Sequence, residues 1–415
     1  MKIQVIKGMR DILPPETAAW EAVENKARQI FKTYGFEEIR TPIVEEAGLF
    51  ERSVGATSAI VEKEMYAFKD RKGLPLALRP EGTAPVVRAY VEAGFYAKDP
   101  VAKLYYFGPM FRYESPQKGR SRQFFQIGAE LIGSDSPMAD AEVLILLDHL
   151  FSELGLKDRR LEINSLGCVT CRPAYLTAIK KFLKGRINKF CPDCKRRSGK
   201  NPLRILDCKK EGCRGLSREA PLVHDFLCEA CAQHYREVRG LLLAGHISFK
   251  ENPRIVRGLD YYCRTAFEVI SEGLGAQDAV AAGGRYDGLV KDLGGPDMAG
   301  VGFAIGVERL MLLLDRGPWT VDRGPGTTVF FALLGNEAQQ KSLAAIQELR
   351  TKGNYVECGY GGSLKSQLRR ADKLAAKFVV IIGENEIKKD MAIIKEMASG
   401  KQEEVLLGRL VEKLA

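Results

Sequence analysis

The stretch RGLDYYCRTAFEV, running from Arg257 to Val269, decides how this chain is read. It threads Arg257, Asp260, Tyr261, Tyr262, Arg264 and Glu268 through an otherwise apolar run. Burying a charge without a partner is costly, so ordinary core strands do not carry so many charges and phenols. A strand that does is expected to present them to a small polar molecule.

The rest of the chain narrows what that molecule is. At 415 residues it is too long for one core, and two or three domains are expected. With 45% apolar and 28% charged residues it has an ordinary globular composition. No apolar run is long enough to span a membrane. The first residues, MKIQVIKGMRDILPPE, lack the apolar region of a signal peptide, so a cytoplasmic protein is expected. A net charge of +10 suits a polyanionic partner or simply a solvated basic surface. Several chemistries are unsupported: there is no GxxxxGK[ST], no GxGxxG opening a helix, no HExxH and no GxSxG. Four histidines leave little for a Ser-His-Asp or Cys-His arrangement. Any nucleotide must be held by something other than a glycine-rich loop.

Arginine is one such means, because its planar fork binds phosphate oxygens bidentately. FGPMFRYE places Arg112 late in an expected strand. The loop SPQKGRSR adds Lys118, Arg120 and Arg122 at the tip of a long hairpin, and GVGFAIGVERL puts Glu308 and Arg309 at the start of an apolar helix. Taken singly, Arg112 and Arg309 are more simply read as surface ion pairs, and only their combination sharpens the signal.

Residues 14 to 34 read as a helix, with Trp20, Val23, Ala27, Ile30 and Tyr34 at helical spacing and Gly35 closing it. FEEIRTP reads as a strand stopped by Pro42, residues 138 to 155 as a helix and RRLEINSLG as a strand. From about 168 to 250 the texture changes to cysteine pairs and many basic residues. After the breaker-rich stretch DRGPWTVDRGPGT, 315 to 327, strands and helices alternate, ending in a helix over EEVLLGRLVEKL. The fold class is α+β: antiparallel hairpins with helices, a Cys-rich insertion, and a final small α/β module.

LRPEGTAPVVRAY, FGPMFRYESPQKGRSRQFFQIGAE, VRGLDYYCRTAFEV, AAGGRYDGLV and GVGFAIGVERL occur in this order. Together they resemble the histidyl-tRNA synthetases of bacterial type, members of the class II aminoacyl-tRNA synthetases, over nearly the whole chain. RGLDYYCRTAFEV with AAGGRYDGL is the histidine-specific pair. The resemblance implies a class II antiparallel sheet flanked by helices in residues 1–167 and 251–318, with an insertion at 168–250. It further implies a linker at 319–327 and an anticodon-binding domain at 328–415. It implies ATP-dependent ligation of L-histidine to histidine tRNA through a histidyl-adenylate, with Mg2+ on the phosphates. Arg112 and Arg257 are then the cations at the α-phosphate, and Arg309 holds the far phosphate of a bent ATP. Glu81, Thr83, Gln126, Glu130, Tyr261 and Tyr262 surround histidine. Gly283 and Gly284 are expected to allow a close backbone approach, with Arg285 and Tyr286 as buttresses. A homodimer is implied, with its interface near IRTPIVEE and Pro42. Two positions depart from the family pattern: Ser115 replaces an arginine of the motif 2 loop, and Phe125 stands where histidine is frequent.

Two readings compete with this one. One is a non-catalytic paralogue that senses histidine, which would lack the C-terminal module. The other is a zinc-containing nucleic-acid-binding protein. The insertion feeds the second. Cys168 and Cys171, Cys191 and Cys194, Cys208 and Cys213, and Cys228 and Cys231 form four short-spaced pairs. Reduced thiolates at such spacing suit tetrahedral zinc, in one site or two. Cys191, Cys194, Cys228 and Cys231 are the preferred first site, with His224 a weaker candidate ligand. Between 181 and 214 there are twelve Lys and Arg against three acids. Lys195, Arg196 and Arg197 in that stretch are candidates for tRNA phosphates or for a solvated face. Lys365, Arg369 and Arg370 in the final module carry the same pair of readings.

Overall fold

The computed structural model describes residues 3–55, 58–115, 117, 119–199, 201–206, 208, 210–274, 279–314 and 328–414, with the side chain of Arg197 left out. The expected linker and Lys118 therefore lie outside the described residues. The chain divides into two compact units, Met1–Trp319 and Thr320–Ala415.

The first unit holds β1 (Glu37–Glu38), β2 (Val44–Glu46), β3 (Ala67–Lys69) and β4 (Pro75–Leu78). It continues with β5 (Ala102–Phe111), β6 (Gln123–Ile132), β7 (Arg160–Ser165), β8 (Phe249–Glu251), β9 (Cys263–Ile270), β10 (Ala279–Arg285) and β11 (Gly300–Gly306). Eight of these form one sheet in the order β1-β5-β6-β11-β10-β9-β7-β8. Its six central strands are antiparallel throughout, and only the edge strands β1 and β8 pair in parallel. FEEIRTP forms only the two-residue β1, because Pro42 and the turn into β2 leave no longer run to pair.

Strand periodicity sorts each sequence between two faces. On β6, Phe125, Ile127, Ala129 and Leu131 belong to a core shared with helices Glu16–Thr33 and Pro137–Glu153. Phe124, Gln126, Gly128 and Glu130 take the opposite face by the same alternation. The helix Glu16–Thr33 buries Trp20, Val23, Ala27 and Ile30 as its spacing predicts, and Gly35 follows it at φ +75. Phe125 meets Trp20 edge-on at 5.2 Å between ring centres. The departure from histidine at this position therefore falls in the core.

The cysteine-rich stretch builds short helices, Arg172–Leu183, Pro192–Ser198 and Glu211–Ser217, around its own cluster from Tyr175 to Val223. The following helix, Glu229–Ala244, is different: Tyr235, Val238 and Leu242 enter the main core. The second unit holds β12 (Thr328–Leu333), β13 (Tyr355–Cys358), β14 (Phe378–Ile382), β15 (Met391–Glu396) and β16 (Gln402–Leu406), in the order β13-β12-β14-β15-β16. Three parallel strands thus carry an antiparallel hairpin. The helix expected over EEVLLGRLVEKL is corrected: its first half is β16, paired to β15, and an α-helix runs only over Leu410–Leu414. Pairing with a sheet edge overrides the helical preference of Glu and Leu.

One buried ion pair ties the central sheet to its helices. Arg285, fully buried on β10, grips Asp140 of helix Pro137–Glu153, and His234 reaches the same carboxylate at 3.3 Å. Removing one partner of such a pair leaves a buried charge, at about 3–5 kcal/mol. Asp140→Ala is expected to lower the urea unfolding free energy by about that amount. A loss under about 1 kcal/mol would mean that the pair is solvated, as exposed pairs are.

Candidate active site

One cavity on the open face of the large sheet collects residues from five separate stretches. Arg112 follows β5, Arg257 precedes β9, and Arg309 opens the helix Val307–Leu313; all three line it. Glu81, Thr83, Gln126, Tyr261 and Tyr262 line it as well. The convergence anticipated from the sequence is therefore present in space.

The guanidinium groups are fixed by main-chain carbonyls and by carboxylates, Arg112 standing 3.9 Å from Glu114. Arg112 Nε donates to the carbonyl of Pro80 at 2.8 Å. Arg309 donates to the carbonyls of Gly119 at 3.2 Å and Ala279 at 2.7 Å. A carbonyl orients a cation without neutralising it. Arg257 lies over the Tyr262 ring, 4.9 Å from its centre, and pairs with Glu268 at 2.9 Å. Burial, then the positive charges of Arg120 and Arg112, push the Arg309 pKa down, against the opposing pull of Glu114. Such mutual repulsion is relieved by an anion placed among them. Gly119, at φ +72, supplies the turn that brings the loop carbonyl to Arg309.

Beside the cations lies a carboxylate and phenol cluster. Glu81 accepts main-chain N–H groups from Thr83 at 2.7 Å and Ala84 at 2.9 Å, and so caps the helix Thr83–Glu92. The hydroxyl of Tyr261 lies 3.5 Å from Glu81. Glu130, fully buried, accepts from Thr83 Oγ1 at 2.7 Å and from Tyr286 at 2.6 Å. Burial pushes its carboxyl up to about 8, against the stabilising effect of those two donors. Burial likewise raises Glu81, and takes Glu308 to about 7. Gln126 Oε1 is buried with no hydrogen-bond partner among the described residues. An orphaned acceptor in a polar cavity points to a donor on a ligand.

Comparisons with known proteins agree with this geometry. A family pattern described as histidyl-tRNA synthetase matches residues 8–172 and 216–310, and one described as an anticodon binding domain matches 328–415. The chain belongs to the histidyl-tRNA synthetase family. The histidine–tRNA ligase of Syntrophotalea carbinolica is 51% identical over 100% of this chain and 98% of its own. That of Geobacter sulfurreducens is 53% identical over 97% of each. The crystal structure of apo S. aureus histidyl-tRNA synthetase, at 37% identity, covers 100% of both chains with a TM-score of 0.81.

Within this family member several residues lie where the sequence alone did not place them. Tyr286, anticipated only as a buttress, bonds Glu130 directly. Tyr106 fills a slot beside the pocket in which Gly82 and Gly128 leave no room for a Cβ. Its signal was available in the strand alternation that also carries Met110. Glu114 lines the cavity and pairs with Arg120 at 2.6 Å. The close approach expected at Gly283 and Gly284 is to protein: a Cβ there would meet Phe267 and the Tyr262 ring. In the motif 2 loop, Arg120 turns into the cavity and Arg122 stacks on Tyr113 at 3.8 Å, while Ser115 is exposed.

The cysteine pairing is corrected. Cys168, Cys171, Cys228 and Cys231 form one group and Cys191, Cys194, Cys208 and Cys213 another, with all sulfurs of a group within 4.8 Å. The preferred set mixing Cys191 and Cys194 with Cys228 and Cys231 does not occur. Local spacing identifies pairs, but only the fold decides which pairs meet. His224 joins neither group and faces Asn164 at 2.9 Å. Lys195 and Arg196 are exposed on helix Pro192–Ser198, Arg196 paired with Asp193 at 2.9 Å. Lys365, Arg369 and Arg370 are exposed on helix Leu364–Lys373.

The Glu130 environment generates a pH test. Glu130 ionises only as pH rises through about 8, so if its carboxylate is needed as an acceptor for a ring N–H, kcat/KM for histidine is expected to rise through that range. Tyr286→Phe removes a donor that favours the charged form, so it should move that limb to higher pH. An unmoved limb in the variant would assign the titration to another group.

Proposed function

We propose that the chain ligates L-histidine to histidine tRNA in two steps at this cavity. In the first, a histidine carboxylate oxygen attacks the α-phosphorus of ATP, the bond to the β-phosphate oxygen breaks, and pyrophosphate leaves. In the second, a hydroxyl of the tRNA terminus attacks the histidyl carbonyl and AMP leaves. The observation that carries this reading is the meeting of Arg112, Arg257 and Arg309 beside Glu81, Gln126, Tyr261 and Tyr262, in a chain of this family.

The roles follow from charge and reach. Arg112 and Arg257 neutralise the α-phosphate as negative charge grows in the transition state. Arg309 holds the far phosphate. Glu81 and Gln126 suit the α-ammonium, whose donors complete their acceptors. Glu130, Thr83, Tyr261 and Tyr262 suit the imidazole, which carries both a donor and an acceptor. A pocket that pairs both ring nitrogens rejects apolar isosteres, because its own groups would be left unpaired. Mg2+, a hard cation that prefers phosphate oxygens and one or two carboxylates, neutralises the triphosphate when bound, and Glu114 and Glu308 in the lining fit it.

We read the two four-cysteine groups as structural zinc sites. The exposed basic residues Lys195 and Arg196, with Arg197, are read as contacts to acceptor-stem phosphates, together with Lys118, Arg120 and Arg122 of the loop. The C-terminal unit is read as the anticodon-binding domain. Self-association is read at β2 and its neighbours, where Ile43, Val44 and Phe68 are exposed. No described helix is long and apolar enough to cross a membrane. Cytoplasmic placement fits the ten cysteines, all free as thiols.

Histidine-dependent ATP–pyrophosphate exchange tests the reading, and its absence from metal-replete protein would refute it. Arg257→Ala and Arg112→Ala are each expected to reduce the exchange rate by about 10²–10³-fold. Arg309→Ala should act mainly on KM for ATP. Exchanging Lys195 and Arg196 for glutamine should weaken tRNA binding and flatten its salt dependence by about one charge each, with exchange unaltered. Unchanged binding across salt would remove this face from the tRNA interface.

A further inference from the structure

The two cysteine groups occupy different mechanical positions. Cys191, Cys194, Cys208 and Cys213 sit inside the insertion, on and between its short helices. The other group lies at its neck. Cys168 and Cys171 stand where the chain leaves the sheet after β7, at the start of helix Arg172–Leu183. Cys228 and Cys231 stand where it returns, at the start of helix Glu229–Ala244. Cys171 and Cys228 are 57 positions apart, yet the main-chain N–H of Cys228 donates to Cys171 Sγ at 3.1 Å.

The spacing of the sulfurs fits a single tetrahedral ion, for which zinc is the usual occupant among four thiolates. Four thiolates around zinc, at Zn–S bonds of about 2.3 Å, stand about 3.8 Å apart in a tetrahedron. The neck sulfurs of Cys168 and Cys171 are 3.7 Å apart, and those of Cys168 and Cys228 are 3.9 Å apart. Cys191 and Cys208 at the tip are also 3.9 Å apart. An iron–sulfur cube would need its thiolates spread around four irons, and 4.8 Å is too small a limit for that. Gly167, at φ +67, makes the turn into the neck, and a Cβ there would crowd Cys171.

The neck chain is bonded directly to the histidine-specific stretch. Leu166 N donates to the carbonyl of Arg264 at 2.7 Å, and Arg264 N donates to the carbonyl of Gly167 at 2.8 Å. Arg264 sits at φ +43, a left-handed conformation that a non-glycine residue holds only when its surroundings impose it. Next to Cys171, Arg172 Nη2 donates to the carbonyl of Tyr262 at 2.8 Å. Residues 166–172 thus grip residues 262–264 from outside the pocket.

We propose that each cysteine group binds one zinc ion, and that the neck zinc is a clasp that positions Tyr261 and Tyr262 for histidine through Arg172 and the Gly167–Arg264 bonds. The tip zinc holds only the insertion's outer helices. Arg172 is a positioning residue. The proposal rests on the zinc and histidine-pocket readings above and assigns the two zinc ions unequal roles.

The test uses full-length protein, elemental analysis, cobalt(II) substitution and calorimetric titration with L-histidine. Wild type is expected to hold two zinc ions per chain and to show thiolate-to-cobalt charge-transfer bands. Cys231→Ser and Cys213→Ser are each expected to retain one. Cys231→Ser should weaken histidine binding by about tenfold or more, whereas Cys213→Ser should change it less than about twofold. Arg172→Ala should keep both metals yet weaken histidine by about tenfold, raising KM more than it lowers kcat, with partial recovery in Arg172→Lys.

Fewer than two metals in wild type, or unchanged affinity in Arg172→Ala, would overturn the proposal. Equal losses in the two serine variants would also overturn it, since a general destabilisation then suffices. If Cys231→Ser does not fold, Arg172→Ala decides alone. Pyrophosphate exchange by untouched wild type separates the outcomes: exchange without metal sinks the clasp, and metal without exchange sinks the ligase reading.

Discussion

Like charges held together in a partly dry cavity govern this structure. Arg112, Arg257 and Arg309 come from stretches far apart in the chain, and nothing local draws them together. What holds them is the antiparallel sheet, the carbonyls of Pro80, Gly119 and Ala279 on Arg112 and Arg309, and the Glu268 carboxylate on Arg257. Folding bears the repulsion among them, and a polyanion placed there would relieve it without any glycine-rich loop.

Rigidity is supplied on the other face. The period-two alternation of β6 sends Ile127, Ala129 and Leu131 into the helices and Gln126 and Glu130 toward the pocket. Arg285 and Asp140 lock the helix layer to the sheet from below, next to the Tyr286 that bonds Glu130. The same residues that read as sequence motifs thus divide into groups that line the cavity and groups that hold those in place. Glu130 shows the consequence: two hydroxyl donors and full burial compete, and the outcome is a carboxyl poised near neutrality.

The insertion is a different kind of object. It is strongly basic, and it packs around a cluster of its own that includes Tyr175, Phe182 and Phe190. Eight of its cysteines gather into two groups of four, and a metal bound at such a group would add its binding free energy to folding. The chain between the two segments matched by the family pattern, 173–215, contains the whole of the tip group, whereas the neck group flanks it. The neck group thus stands where the chain leaves the large sheet and where it returns to the main core.

Much was legible in the sequence because it depended on local physics or on composition. Helical spacing found Glu16–Thr33, strand alternation and a basic loop found the β5–β6 hairpin, and CxxC spacing found the thiol pairs. The ordered motifs carried the family, and the expected substrate residues came with that resemblance rather than from composition. What the sequence did not decide were the choices made between distant segments. It could not say which cysteine pairs meet, that Tyr286 bonds Glu130 across 156 positions, or that EEVLL joins a sheet edge rather than a helix. Those outcomes are set by which surfaces the folded chain brings within a few ångströms, and short-range pattern carries no information about that distance.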